Sequence, residues 1–406
     1  MIFPCKTGDI VINEVHGLGA ANTMTCEMMS PTKTCAVLFA IALFLVGVEN
    51  SAHASGFAPP VIYQAGIGPN CVTLADFNFD GFIDVAVTNA LSNNVSILLG
   101  NGDGTLQSPT NYSVGRSPGC VISIQDRGPG MFPDLAVTNT LDNNVSILLN
   151  NGDGTFQPAV NYGLGTGTAP VGLAGIDTTS DGFEDFVVAN SSGGSQNAGN
   201  VAVLVANGDG TFQAAVNYDT MGTGPLGIVQ SSFTPKFSQD FAVINFVSNN
   251  VSVFLNNNDG TGKFTLTSVT PVGTNPSGVT GEGNTAGVTS LIVSNSNSNN
   301  ITYLFGNDAG GFEHTKNYAA GKNPSAIIAA DLNLGSVPDL AVTNEGDSTV
   351  GVYLGLLHHP GFRKPTTFAT CLSPNSIRNA DLNLDGNQDV VVACSNGVAV
   401  MLNTGP

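Results

Sequence analysis

The sequence predicts an all-β fold of seven four-stranded units. Three observations carry that expectation: a composition of short strands and tight turns, a motif recurring seven times at about fifty residues, and chain ends that complement each other. The 406 residues include 50 Gly and 21 Pro, no Trp and only 10% charged residues, a composition of many strands joined by turns rather than of helices. Regular apolar strands downstream of residue 55 argue against disorder, despite the abundance of Gly, Ser and Asn.

The recurring motif is Asp84-Val-Ala-Val-Thr-Asn. It returns as Asp134-Leu-Ala-Val-Thr-Asn, Asp185-Phe-Val-Val-Ala-Asn, Asp240-Phe-Ala-Val-Ile-Asn, Ser290-Leu-Ile-Val-Ser-Asn, Asp339-Leu-Ala-Val-Thr-Asn and Asp389-Val-Val-Val-Ala-Cys, at spacings of 50, 51, 55, 50, 49 and 50 residues. A fixed period in this range marks stacked or radially repeated units. The first unit reads as a strand near 72–75, an Asp-rich loop 76–84, a strand 85–89, a turn at Ser92–Asn94, a strand 95–99, a turn at Asn101–Gly104 and a strand near 106–112. The middle strands are apolar runs, as expected where both sheet faces are covered.

The seventh unit runs out at Met401–Pro406 without a fourth strand, whereas Phe57–Tyr63 resembles the fourth strand Phe156–Tyr162. An N-terminal strand that completes the last blade would close a ring and remove free edges. The expected architecture is a seven-bladed β-propeller of four-stranded antiparallel blades, spanning residues 55–406.

Residues 1–32 are an unassigned leader. Residues 33–54 read as a signal peptide: Lys33, the apolar run Ala36–Val48, then Ala52-His53-Ala54 before a cleavage point. The thirteen-residue run is shorter than the roughly 20 residues a membrane-spanning helix needs. The expected location is therefore outside the cell, at its surface or in a periplasm, with no transmembrane anchor. The mature chain holds nine Lys and Arg against 26 Asp and Glu, a net charge of −17, which speaks against a nucleic-acid or anionic-lipid partner. Its cysteines are Cys71, Cys120, Cys371 and Cys394. Cys71 and Cys120 occupy equivalent places in successive repeats, but their pairing cannot be read from sequence.

The first Asp-rich loop places Asp76, Asn78, Asp80 and Asp84 at positions 1, 3, 5 and 9, with Gly81 at the sharp turn and the carbonyl of Phe82 at position 7. Calcium takes six to eight oxygens in a flexible shell, and this pattern supplies most of them. The third unit repeats it with Asp177, Thr179, Asp181, Phe183 and Asp185, and the seventh with Asp381, Asn383, Asp385, Asn387 and Asp389. The sixth keeps Asp331, Asn333 and Asp339 but has Gly335 at position 5, so weaker binding is expected there. The second keeps Asp126 and Asp134 with inserted glycines, and the fourth keeps only Asp240. About three Ca2+ sites of structural purpose are expected. The Asn-Gly-Asp-Gly segments beginning at Asn101, Asn151 and Asn207 read as hairpin turns rather than ligand loops.

Through Asp76-Phe-Asn-Phe-Asp-Gly-Phe-Ile-Asp84, Asp381-Leu-Asn-Leu-Asp-Gly-Asn-Gln-Asp389 and the Asn-Gly-Asp-Gly-Thr-Phe turns at 151–156 and 207–212, the chain resembles the FG-GAP or VCBS repeat family over residues 56–406. That resemblance implies a propeller related to the integrin α-subunit's, calcium in the complete loops, and roles as varied as adhesion, lectin-like binding and attachment to enzymes.

The face opposite the Asp-rich loops carries Asn- and Ser-rich turns at 91–94, 141–144, 246–250 and 295–300, together with the insertion Ser191–Asn200. It is the candidate surface for an extracellular protein or glycan. The mature chain's three His residues, His314, His358 and His359, lie in no nucleophile motif. The expectation is a monomeric, non-enzymatic binding or adhesion module, with a polysaccharide-active lyase or hydrolase as the alternative.

Overall fold

The computed structural model describes residues 56–125, 132–165, 168–192, 199–235, 239–283, 289–335, 337–356 and 361–405. Within these, 28 strands form seven four-stranded antiparallel sheets, and each repeat unit is one blade. The expected leader, the signal peptide, Asp126, most of the Ser191–Asn200 insertion and the His358-His359 pair lie outside the described residues. Among those described, no helix is long and apolar enough to cross a membrane.

Blade one shows how the sequence dictates a blade. Its inner strand Pro69–Ala75 pairs with Asp84–Asn89, which pairs with Asn94–Leu98, which pairs with the outer strand Thr110–Ser113. The second strand is buried along its whole length. Its side chains alternate between two neighbours: Val85 and Val87 enter the core shared with blade seven, and Ala86 enters the core shared with blade two. A strand flanked on both faces tolerates no polar side chain in its middle, which is why the repeat reads as an apolar run.

The core is therefore divided into seven, with one cluster between each pair of adjacent blades. Val391, Ala393, Val398 and Val400 of blade seven pack on Val72, Val85, Val87 and Leu98 of blade one, so the ring closes. The predicted N-terminal strand is present: Val61, Ile62 and Tyr63 pair with Val400, Ala399 and Val398 as the outer strand of blade seven. Phe57 bridges Asn403, and its ring meets Phe368 of blade six edge-on at 5.3 Å. Closure does not remove edges, however. Each blade ends in an outer strand with one free side, and five of these are only three or four residues long, a length that limits pairing with other chains.

The Asn-rich turns are structural. Asn93, Asn143, Asn249 and Asn299 take left-handed backbone angles, and their side-chain oxygens accept the backbone N–H of Ser117, Ala169, Asn275 and Asn323 in the next inter-blade link. The buried Asn89, Asn139, Asn245 and Asn295 donate to the side chain five residues on. Much of the polar chemistry expected to greet a ligand on this face is thus spent inside it. Cys371 and Cys394 are joined by a disulfide that ties the link before the last inner strand to the end of the strand paired with it.

Candidate calcium loops and a buried carboxyl

The three complete Asp-rich loops fold alike. In each, the carboxylate at position 1 accepts the backbone N–H of the glycine at position 6: Asp76 from Gly81, Asp177 from Gly182 and Asp381 from Gly386, at 2.8–3.0 Å. The carboxylate at position 5 accepts the N–H of position 7: Asp80 from Phe82, Asp181 from Phe183 and Asp385 from Asn387. At position 3, Asn78 and Asn383 accept from the N–H of Asp80 and Asp385. The spacing therefore draws oxygens around one centre within each loop. In blade six, Asp331 and Asn333 both accept the N–H of Gly335, and no carboxylate stands at position 5.

Position 9 does something the spacing alone did not suggest. Asp84 is buried, and its two oxygens accept the N–H of Phe77 and the N–H of Gly100 at 2.8 and 2.7 Å, tying the Asp-rich loop to the turn between the third and fourth strands. Asp185, Asp240, Asp339 and Asp389 make the same two bonds in their blades. Asp134 and Ser290 hold the N–H of the equivalent turn residue. Burial pushes the Asp84 and Asp389 carboxyls up to about 6, and the neighbouring position-5 and position-1 charges add to it. Asp185 and Asp339 are raised for the same first cause.

Two observations test whether a cation fits. Asp76 Oδ1 and Thr179 Oγ1, at positions 1 and 3, are buried without a hydrogen-bond partner, a costly arrangement that a cation would relieve. Against this, no three His, Cys, Asp or Glu side chains among the described residues are gathered into a ready-made metal cage, because the position-9 carboxylates are turned onto backbone N–H groups. The residues fit calcium as flexible loops rather than as a rigid cage.

Position 4 of these loops is exposed and left-handed, and it carries Phe79, Leu334 or Leu384 in blades one, six and seven. Elsewhere, a cleft between blades two and three lined by Phe183, Glu184, Gly208 and Phe212 has a volume of about 40 Å3. It has room for water and far less than the few hundred Å3 that hold a ligand.

Sequence reasoning missed Glu282. It ends the inner strand of blade five, at position 1 of a loop whose position 9 is Ser290. Burial raises its carboxyl above the usual range, a hydrogen bond with Tyr303 works against that rise, and Oε2 is buried without a partner. Burial, then the Glu282 charge, keeps Tyr303 neutral and far above the usual phenol range, although a hydrogen bond with Ser290 lowers it. Only Glu282 and Arg378 carry charge in the seven inner strands. That rarity was the available signal.

The chain matches the FG-GAP-like repeat family over residues 76–125 and 131–188. No curated protein matches it. Among solved structures, BBS1N in complex with ARL6DN shares 13% identity over 85% of this chain and 98% of that one, with a TM-score of 0.59. A candidate 6-phosphogluconolactonase from Bacteroides uniformis shares 16% over 77% and 88%, with a TM-score of 0.59. The periplasmic gluconolactonase PpgL from Pseudomonas aeruginosa shares 14% over 76% and 87%, with a TM-score of 0.57. At these identities the likeness is one of fold. Two of the neighbours are nonetheless named as lactonases, so the expectation that the chain is not an enzyme is withdrawn: a propeller needs no nucleophile motif legible in sequence to support hydrolysis. With its seven blades, its recurring loops and the two matched stretches, the chain belongs to the FG-GAP repeat family.

Proposed function

We propose that the protein is an exported, calcium-stabilised propeller that acts on an extracellular carbohydrate by hydrolase or lyase chemistry, with Glu282 moving the proton. The observation that carries this reading is the half-buried Glu282 carboxyl, raised by burial, hydrogen-bonded to Tyr303 and with Oε2 unpartnered. A carboxyl so placed approaches the pKa that general acid–base catalysis favours. The lactonase names among the structural neighbours support the same class. Calcium belongs to the loops of blades one, three and seven, where it would supply the positive charge that lets their carboxylates share one centre.

The mature chain, incubated with plant and bacterial polysaccharides and with aldonolactones, is expected to release new reducing ends, form unsaturated ends or open a lactone. Glu282→Gln should lower that rate at least 100-fold while the protein stays folded. No turnover by the unaltered chain, or full turnover by Glu282→Gln, overturns the reading.

A second reading is a binding or adhesion module, supported by exposed apolar side chains beside the Asn-rich turns, Leu91 at 74%, Leu141 at 60% and Val247 at 61%, and by a structural neighbour caught in a protein complex. Protein and glycan arrays probed with calcium and with chelator separate it from the first.

A further inference from the structure

We propose that Cys71 and Cys120 are an oxidisable pair, converted by thiol–disulfide exchange with a small disulfide into a cross-link between the inner strands of blades one and two. Each cysteine is the third residue of its strand, Pro69–Ala75 or Pro118–Gln125, and the two sulfurs lie 3.1 Å apart. The strands are held side by side at this level. Asn70 Nδ2 and the Thr88 hydroxyl both donate to the Gly119 carbonyl, and the Ser123 N–H donates to the Thr73 hydroxyl.

The separation itself selects the chemistry. Two thiolates on one tetrahedral zinc, each about 2.3 Å from the metal, stand roughly 3.8 Å apart, and no His or carboxylate joins this pair in a metal cluster among the described residues. At 3.1 Å the sulfurs need approach by only about 1 Å to reach a bonding distance near 2.05 Å. Both thiols are partly exposed, so a small oxidant has access.

The two sulfurs are not equivalent. The hydrogen bond with Cys120 brings the Cys71 thiol down to about 6; burial opposes this, and the Arg378 guanidinium from blade seven assists. Cys120 is held well above the ordinary thiol range by the same hydrogen bond and by burial. Cys71 is thus the attacking thiolate. Its sulfur attacks one sulfur of an external disulfide such as oxidised glutathione, forming a mixed disulfide and expelling one thiolate. Cys120 then loses its proton to solvent and attacks Cys71 Sγ, forming the Cys71–Cys120 bond and expelling the second thiolate. Two protein thiols are oxidised and one external disulfide is reduced to two thiols. Unlike the Cys371–Cys394 bond, which lies within the last blade, this one joins two blades at the wall of the central channel.

The test uses the folded mature chain, treated with oxidised glutathione and then denatured for thiol counting and peptide mapping. Before oxidation two thiols are expected; afterwards none, with a Cys71–Cys120 linked peptide, no retained glutathione and a rise of several degrees in Tm. Cys120→Ser should trap glutathione on Cys71, and Cys71→Ser should react at least tenfold more slowly at pH 7. Two thiols that persist in the folded, unaltered chain, or glutathione retained on both cysteines, would overturn the cross-link. Equal reactivity of the two variants would overturn the assignment of Cys71 as attacker.

Discussion

Leu384 shows how a single residue can be held against its own preference. Its backbone is left-handed, with φ of 59°, and its side chain is 62% exposed, so it suffers the conformation without the compensation of burial. Asn tolerates this region far better than a branched apolar residue, and Leu384→Asn is expected to raise stability by about 1 kcal/mol, measured by urea unfolding. Glu282 is strained electrostatically instead. Because its folded carboxyl is raised, its contribution to stability is fully present below the ordinary carboxylate range and is lost as pH rises through the folded value. Glu282→Gln keeps a partner for Tyr303 and removes the charge, so its Tm should match or fall below that of the unaltered chain near pH 4 and exceed it at pH 8. A variant that gains stability while losing turnover would fit a residue kept for chemistry. Nothing in the loop pattern pointed to it, because its acidity comes from burial and from Tyr303, both supplied by tertiary packing.

Among the elements, the Asp-rich loop and the strand after it divide their labour differently from what the spacing suggested. Positions 1, 3 and 5 were legible as an oxygen cluster, and they do converge. Position 9 looked like a fourth ligand, yet its buried carboxylate holds two backbone N–H groups in five of the seven blades. Blade four, which keeps Asp240 and lacks the other loop residues, already contained that clue: a ligand without companions has no reason to be there, whereas a hydrogen-bond acceptor does. Asp240→Asn turns one acceptor oxygen into an NH2 group facing the N–H of Phe233 or Asn256. Its expected cost is about 2–3 kcal/mol, the same in calcium and in chelator. Asp385→Ala should behave differently, losing about 1.4 kcal/mol when calcium stands tenfold above its dissociation constant and little of that in chelator. Chemical denaturation of both variants, with and without calcium, separates the two roles.

At the scale of the whole molecule, the seven-fold repeat and the complementary ends were enough to specify a closed ring. The exposed outer strands were not foreseen, since a sequence shows which strand completes a blade but not that the completed sheet still has a free side. Deleting residues 56–63 should open blade seven, lower Tm by on the order of 10 °C and promote aggregation through Gly397–Met401, which would become an unpaired edge; calorimetry and light scattering would report both. A truncation as stable and soluble as the parent would refute closure. The closing contact joins residues 348 apart, Thr404 to Gly56. A chain made from its N terminus therefore presents the sealing strand first and the strand it seals against last, and every shorter product is an open arc with an unfilled place. The ring audits its own synthesis: a transcript broken late, or a few residues clipped near 400, leaves the same defect as losing the first strand, and quality-control proteases would meet both as one lesion.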